Sequence, residues 1–430
     1  MNEEDLFMVN YNITKKKNND HTSFTVDTKA ETAQKTQENE TISLENNYLV
    51  LHNNYILAYT PEGCILNNEN PTEDDRNISA KEKAEDLKRN FYRDFLTKHY
   101  KNLVILTAAG TSLGNGGKTR EGLWEDCSDE IKIIEKLIPE IKQRDFYRDK
   151  NIEMLLSYII NYEKINDLLK KDNNILRKNI EEKIAQSCKL SLSPRSVHKD
   201  FIYKITARKN NDPRIQLFTT NYDTLFEQAS GETGFVIIDG FSFTEPRTFS
   251  GNWFDLDIVN RENTRLKQEE SFISKVFHLY KLHGSLNWTK SNNMIIQKND
   301  PSEPLIIYPA DEKYENSFEQ PYFEMMSRFQ QALRKENTLL IVIGFSFQDK
   351  HIKNAMIEAV EQNRGFQLLI LNYSPEKNGT NLEFLEQFFS DIDKFKVKRG
   401  VTIIFESFEE FVKNYPENGS YSIREEGEKD

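Results

Sequence analysis

The chain has 430 residues, enough for one large or two ordinary domains with a real core. Its 57 basic and 69 acidic residues leave a net charge of −12, which argues against direct nucleic-acid binding; the cluster Lys15-Lys16-Lys17 reads as solvated tail. No apolar run is long enough to span a membrane, the N-terminus (Asn2-Glu3-Glu4-Asp5) lacks a basic region followed by an apolar stretch, and Cys64, Cys127 and Cys188 are scattered singly. Together these exclude a disulfide framework and a four-thiolate zinc site, and predict a soluble cytoplasmic protein without a metal.

Residues 1 to about 45 are rich in Asn, Lys, Thr and Glu, and are expected to stay mobile. Alternation of apolar and polar residues over Tyr48–Leu66, around Asn53-Asn54 and Pro61-Glu62-Gly63, predicts a small hairpin. Leu87, Phe91 and Phe95 are spaced as one helix face, leading into Leu103-Val104-Ile105-Leu106, the expected first strand of an α/β core. From Ser128 to about Leu190 three apolar stripes recur at helical spacing, for example Ile131, Ile134, Leu137, Ile138 and Ile141. They read either as a helical subdomain inserted between two strands or as helices covering the sheet. Strand-like runs follow at Ile215–Thr219, Phe235–Ile238, Val276–Leu282, Leu339–Ile343, Phe366–Leu371 and Val401–Phe405, with helical stretches at Tyr322–Lys335 and Lys350–Glu361. That alternation predicts a doubly wound, mostly parallel, Rossmann-like sheet. Phe241–Glu270, polar and aromatic without a period, is expected to form a lid or an excursion.

Two loops carry the most chemistry. Thr219-Thr220-Asn221-Tyr222-Asp223 and Lys281-Leu282-His283-Gly284-Ser285 each follow a buried-strand run, so a parallel sheet delivers an amide, a carboxylate and an imidazole to one edge. Such a trio suits a sugar's hydroxyls and a proton transfer. The first βα loop, Thr107 to Thr119, is small and glycine-rich, as backbone N–H groups near a diphosphate require. Gly117-Lys118-Thr119 resembles the end of a P-loop, but Ser112 stands where its first Gly belongs. Taken singly, Asp223, Asp349 and His351 read as turn formers or helix caps, His283 as a bonded loop histidine, Gly344 as a packing glycine and His278 as a packed strand residue.

Taken in order, Ala108-Ala109-Gly110-Thr111-Ser112, Thr220-Asn221-Tyr222-Asp223, Leu282-His283-Gly284-Ser285, Gly344-Phe345-Ser346-Phe347 and Leu371-Asn372 resemble the sirtuin (SIR2) family, and most nearly the bacterial SIR2-like proteins of antiphage defence. The resemblance covers roughly residues 90–412 and implies a SIR2-like NAD-binding domain over 91–412. It does not explain the polar N-terminal extension over 1–90 or much of the helical insert at about 128–200, and an acidic tail over 413–430 follows. It implies NAD as substrate, with Asn221 and His283 catalytic. Ala109, Gly110, Thr111, Ser112, Thr220, Gly344, Ser346 and Asn372 are then NAD-binding, and Asp223 holds the nicotinamide carboxamide. Trp124 is expected to wall the nicotinamide pocket. Two departures stand out: Ala108 where the family usually has Gly, and no paired cysteines for the structural zinc of deacetylating sirtuins. The second shifts the expectation from deacylase to NAD glycohydrolase, with an NAD-binding regulatory module as a further alternative. A homo-oligomer, a HerA-type ATPase partner and a phage-derived trigger are implied by the resemblance alone.

Overall fold

The computed structural model describes residues 11–18, 21–28, 48–52, 55–60, 63–64, 89–90, 92–165, 170–209, 212–260, 272–306, 320–347, 349–372 and 400–416. Its centre is a ten-stranded sheet. Seven strands run parallel, in the spatial order Val401–Phe405, Gln367–Asn372, Thr338–Ile343, Asn102–Thr107, Gln216–Thr219, Val276–Lys281, Val236–Ile238. The expected doubly wound, Rossmann-like sheet is what the chain forms.

The central strands are apolar runs rather than alternating ones because both faces of the sheet are buried. Alternate residues nonetheless part to opposite sides. Val104, Leu106, Leu340 and Val342 join one core with Met325, Phe329, Ile352 and Met356 of the helices Tyr322–Leu333 and Lys350–Gln362. Leu103, Ile105, Leu339 and Ile341 join the other with Tyr92, Phe95, Phe201, Phe226 and Phe411. Leu87 and Phe91 of the predicted first helix face lie outside the described residues.

The predicted hairpin forms from Tyr48–His52 and Tyr55–Thr60, and Tyr48–His52 adds antiparallel to Val401–Phe405, so the hairpin extends the main sheet. Where the first 45 residues were expected to be mobile, Tyr11–Asn18 and His21–Thr28 pair as an antiparallel hairpin. Thr22, Thr25, Val26 and Thr28 supply the β-branched residues that such strands favour.

Between Asn102–Thr107 and Gln216–Thr219 the helices Arg120–Asp126, Ser128–Leu137, Ile152–Ile165 and Lys170–Ser187 close on a core of their own. Of the two readings of the insert, a separate helical unit fits this core better than a cover for the sheet. Tyr222, from the Asn-Tyr-Asp loop, is part of that core. The described part of Phe241–Glu270 is a packed excursion rather than a lid: Phe241 and Phe254 are buried, Phe241 against Trp288 and Phe254 stacked on Tyr280. Among the described residues no helix is long and apolar enough to cross a membrane.

Candidate active site

Register places the motifs. Leu371, Ile343, Thr107, Thr219 and Lys281 stand abreast at the C-terminal ends of five neighbouring parallel strands. The ladder runs one residue further, through Gly344 N to Leu371 O (3.2 Å), Ala108 N to Ile343 O (3.0 Å), Thr220 N to Thr107 O (3.0 Å) and Leu282 N to Thr219 O (2.8 Å). All five loops therefore open from one edge. The chain leaves Asn102–Thr107 towards one side and returns at Thr338–Ile343 on the other, which makes this edge a topological switch point, where open α/β sheets hold ligands.

At that point two glycines let two loops touch. A Cβ on Gly110 would lie 2.5 Å from the Gly344 Cα, and Gly344 has φ +64°, so neither position takes a side chain. Ala108, by contrast, has φ −143°, extended backbone that any residue adopts. The Gly117-Lys118-Thr119 stretch shows no P-loop role. Thr119 caps the helix Arg120–Asp126 through Gly122 N, and Lys118 reaches Asp126 at 3.5 Å.

Asn221 is held by its amide nitrogen. Nδ2 shares its two hydrogens among three acceptors within reach, Ala108 O (3.0 Å), Thr111 Oγ1 (3.2 Å) and Ser112 Oγ (2.9 Å). A backbone carbonyl only accepts, which settles which end of the amide is nitrogen. Oδ1, without a partner among the described residues, is the end of the amide left for a ligand.

Asp223 departs from its expected role. Its Oδ2 accepts from Ser112 Oγ at 2.6 Å and its Oδ1 from Leu225 N at 3.1 Å, and the residue is buried. Both oxygens serve the protein, the local turn-forming role of an Asx after a strand. Ser112 Oγ joins this relay, Asn221 to Ser112 to Asp223. Trp124 is buried in the insert's core, edge-on to Tyr147, where it packs instead of walling a pocket. Ala109, Gly110 and Thr220 are half-buried on the loops at the switch point, Thr111 is buried and Ser346 is exposed. The Asn372 side chain lies outside the described residues.

His283 meets a carboxylate that the sequence assigns only to capping. Its Nε2 lies 3.1 Å from Asp349 Oδ2, with the two side chains only 6% and 5% exposed. Asp349 Oδ1 accepts from His351 N (2.9 Å) and Ile352 N (3.2 Å), the predicted cap of Lys350–Gln362. Burial on its own would lower the His283 pKa; the hydrogen bond and charge of Asp349, with the charge of Glu153, outweigh it and raise the pKa above the ordinary value. Burial works to raise Asp349, but the His283 hydrogen bond and charge hold it below the usual carboxylate range. Glu153 comes from the insert, and desolvation pushes its own carboxyl up against the pull of His283 and Arg120. A Glu on an amphipathic helix carries no sequence signal of such a place.

Beneath both loops, buried Lys281 donates to the carbonyls of Tyr222 and Asp223 and pairs with Glu227 at 2.9 Å. His278 is packed, as expected, with Nδ1 3.0 Å from Tyr280 Oη, and burial lowers its pKa to about 4. Among the described residues no group of three or more His, Cys, Asp or Glu is placed to hold a metal ion.

A family model described as a SIR2-like domain matches residues 216–392, from the strand before Asn221 past His283, Gly344 and Asp349. No curated protein matches the chain. Among solved structures the chain is similar to Sir2Tm bound to a propionylated peptide, at 12% identity and a TM-score of 0.33 over 79% of this chain and 98% of that one. A structure on the basis of sirtuin substrate affinity aligns at 12% identity and a TM-score of 0.25, over 72% and 98%. Residues 216–392 are thus similar to a SIR2-like domain.

Proposed function

We propose that this crevice binds NAD and hydrolyses its nicotinamide–ribose bond, giving nicotinamide and ADP-ribose. The observation that supports it most is the pairing of Asn221, with its amide oxygen left for a ligand, and His283, with a carboxylate behind it, on adjacent strand ends at the switch point. The Gly110–Gly344 approach fixes the first βα loop against the loop that follows Thr338–Ile343, beside the edge where the diphosphate is proposed to lie.

In this reading the C1′–nitrogen bond breaks, nicotinamide leaves with the electron pair, and positive charge develops on the ribose. Asn221 Oδ1 presents the negative end of a fixed amide dipole to that charge and accepts a hydrogen bond from a ribose hydroxyl or the incoming water. Water adds to C1′, and His283 accepts the proton it gives up. Asp223 and Ser112 are positioning residues for Asn221. By the same resemblance, the activity serves antiphage defence by depleting NAD, in a regulated homo-oligomer paired with a HerA-type ATPase and set off by a phage-derived trigger.

The test is nicotinamide release from NAD by the full chain, with and without an acetylated peptide and the ATPase partner. Release without peptide is expected, falling on the order of 10²–10⁴-fold in Asn221→Ala and in His283→Ala. Tight NAD binding without turnover would make the protein a binding module, and strictly peptide-dependent release would make it a deacylase.

A further inference from the structure

We propose that Asp349 is the positioning residue of His283: it holds the ring by Nε2 and so makes Nδ1 the atom that takes a proton in the site. The proposal rests on the hydrolase reading above. Its warrant is geometric. Asp349 caps a thirteen-residue helix with one oxygen, so its carboxylate is fixed by two backbone N–H groups before it touches the histidine. The other oxygen then meets Nε2 at 3.1 Å in a nearly sealed contact. An ionised carboxylate only accepts, so in the neutral ring the proton sits on Nε2 and the lone pair on Nδ1. Nδ1 has no hydrogen-bond partner among the described residues.

The charged and titratable surroundings of the ring are few. Asp349 faces it from the helix Lys350–Gln362 and Glu153 from the helix Ile152–Ile165, while Tyr222 lies 6.5 Å away, centroid to centroid, on the neighbouring loop. His351 and Tyr322 stand behind Asp349, and Arg120 behind Glu153. Both carboxylates favour the protonated ring, and burial opposes them. A base must be neutral, so turnover rises with pH through a His283 pKa lying above its ordinary value. Removing Asp349's charge lets burial prevail, and that rise moves to lower pH even as the rate falls.

Asp349→Asn is the informative variant, because Asn is as good a helix cap as Asp and the fold is kept. The expected result is a fall in kcat on the order of 10²-fold with KM for NAD nearly unchanged, and an acid limb displaced to lower pH. Glu153→Gln should displace the limb the same way, by less. Nitrogen-15 spectra of histidine-labelled protein give a readout without turnover: the Nε2–H tautomer in the wild type, lost in Asp349→Asn. Unchanged kcat and pH profile in Asp349→Asn, or an Nδ1–H tautomer in the wild type, would overturn the proposal. A wild type that releases no nicotinamide sinks the hydrolase reading instead, while the spectra still decide the Asp349 contact.

Discussion

The two loops that bring Asn221 and His283 together follow neighbouring strands in matched register, yet they are held in opposite ways. Asn221 is fixed by uncharged hydrogen bonds to the first βα loop, with Ser112 passing the restraint on to Asp223. His283 is fixed by a carboxylate and is itself titratable. One corner should keep its geometry at any working pH; the other has its state set by charge. In the proposed reaction the site would thus separate charge stabilisation, which needs rigidity, from proton transfer, which needs a titratable group.

Lys281 is where that separation can be broken outright. It lies at the end of the strand leading to His283, but its ammonium holds the carbonyls beside Asn221 and pairs with Glu227. Lys281→Met leaves Glu227 without its partner and should cost about 3–5 kcal/mol of unfolding free energy by denaturant titration, with both corners lost. Lys281→Met with Glu227→Leu removes both charges and should recover most of the stability but not the activity. Recovery of full activity in the pair would show that the buried ammonium has no part in placing Asn221.

The glycine contact tests the Asn221 corner from the other side. Gly344→Ala must force a left-handed residue and a Cβ into the Gly110 backbone, an expected loss of about 2–4 kcal/mol with displacement of the first loop. Gly116→Ala is the matched control. Its φ is +83° but a Cβ there would meet nothing within 4 Å, so only the backbone strain of about 1–2 kcal/mol should appear. Equal melting shifts for the two would mean that the close approach of the loops carries no weight.

Much of this arrangement is legible in the sequence, for reasons the residues make plain. The strand runs stand out because both sheet faces are buried, and the insert because its stripes repeat at helical spacing. The hairpin at Tyr48–Thr60 is a local pattern, but its pairing with Val401–Phe405 is not, since nothing local names a partner so far along the chain. Asp349 is readable as a cap from its place before a helix; its grip on His283 depends on a loop from another strand. Asp223 is instructive in the opposite sense. The general rule for an Asx after a strand describes its bonds better than the ligand role implied by family resemblance, because Ser112 and Leu225 N are already within reach.

Ser112→Ala gives the smallest effect and the finest test of the two-corner comparison. The hydroxyl accepts from Asn221 Nδ2 at 2.9 Å and donates to Asp223 Oδ2 at 2.6 Å. Its loss leaves Asn221 the Ala108 carbonyl and the Thr111 hydroxyl, so the amide is loosened rather than freed. Nicotinamide release should fall about tenfold, or ~1.4 kcal/mol of barrier, with a stability cost of about 1–2 kcal/mol for the stranded carboxylate oxygen. The acid limb of the pH profile should stay where it is, because nothing on His283 has changed. A limb that moves with Ser112→Ala would mean that the amide corner also sets the histidine's charge, and that the two corners act as one hydrogen-bonded unit.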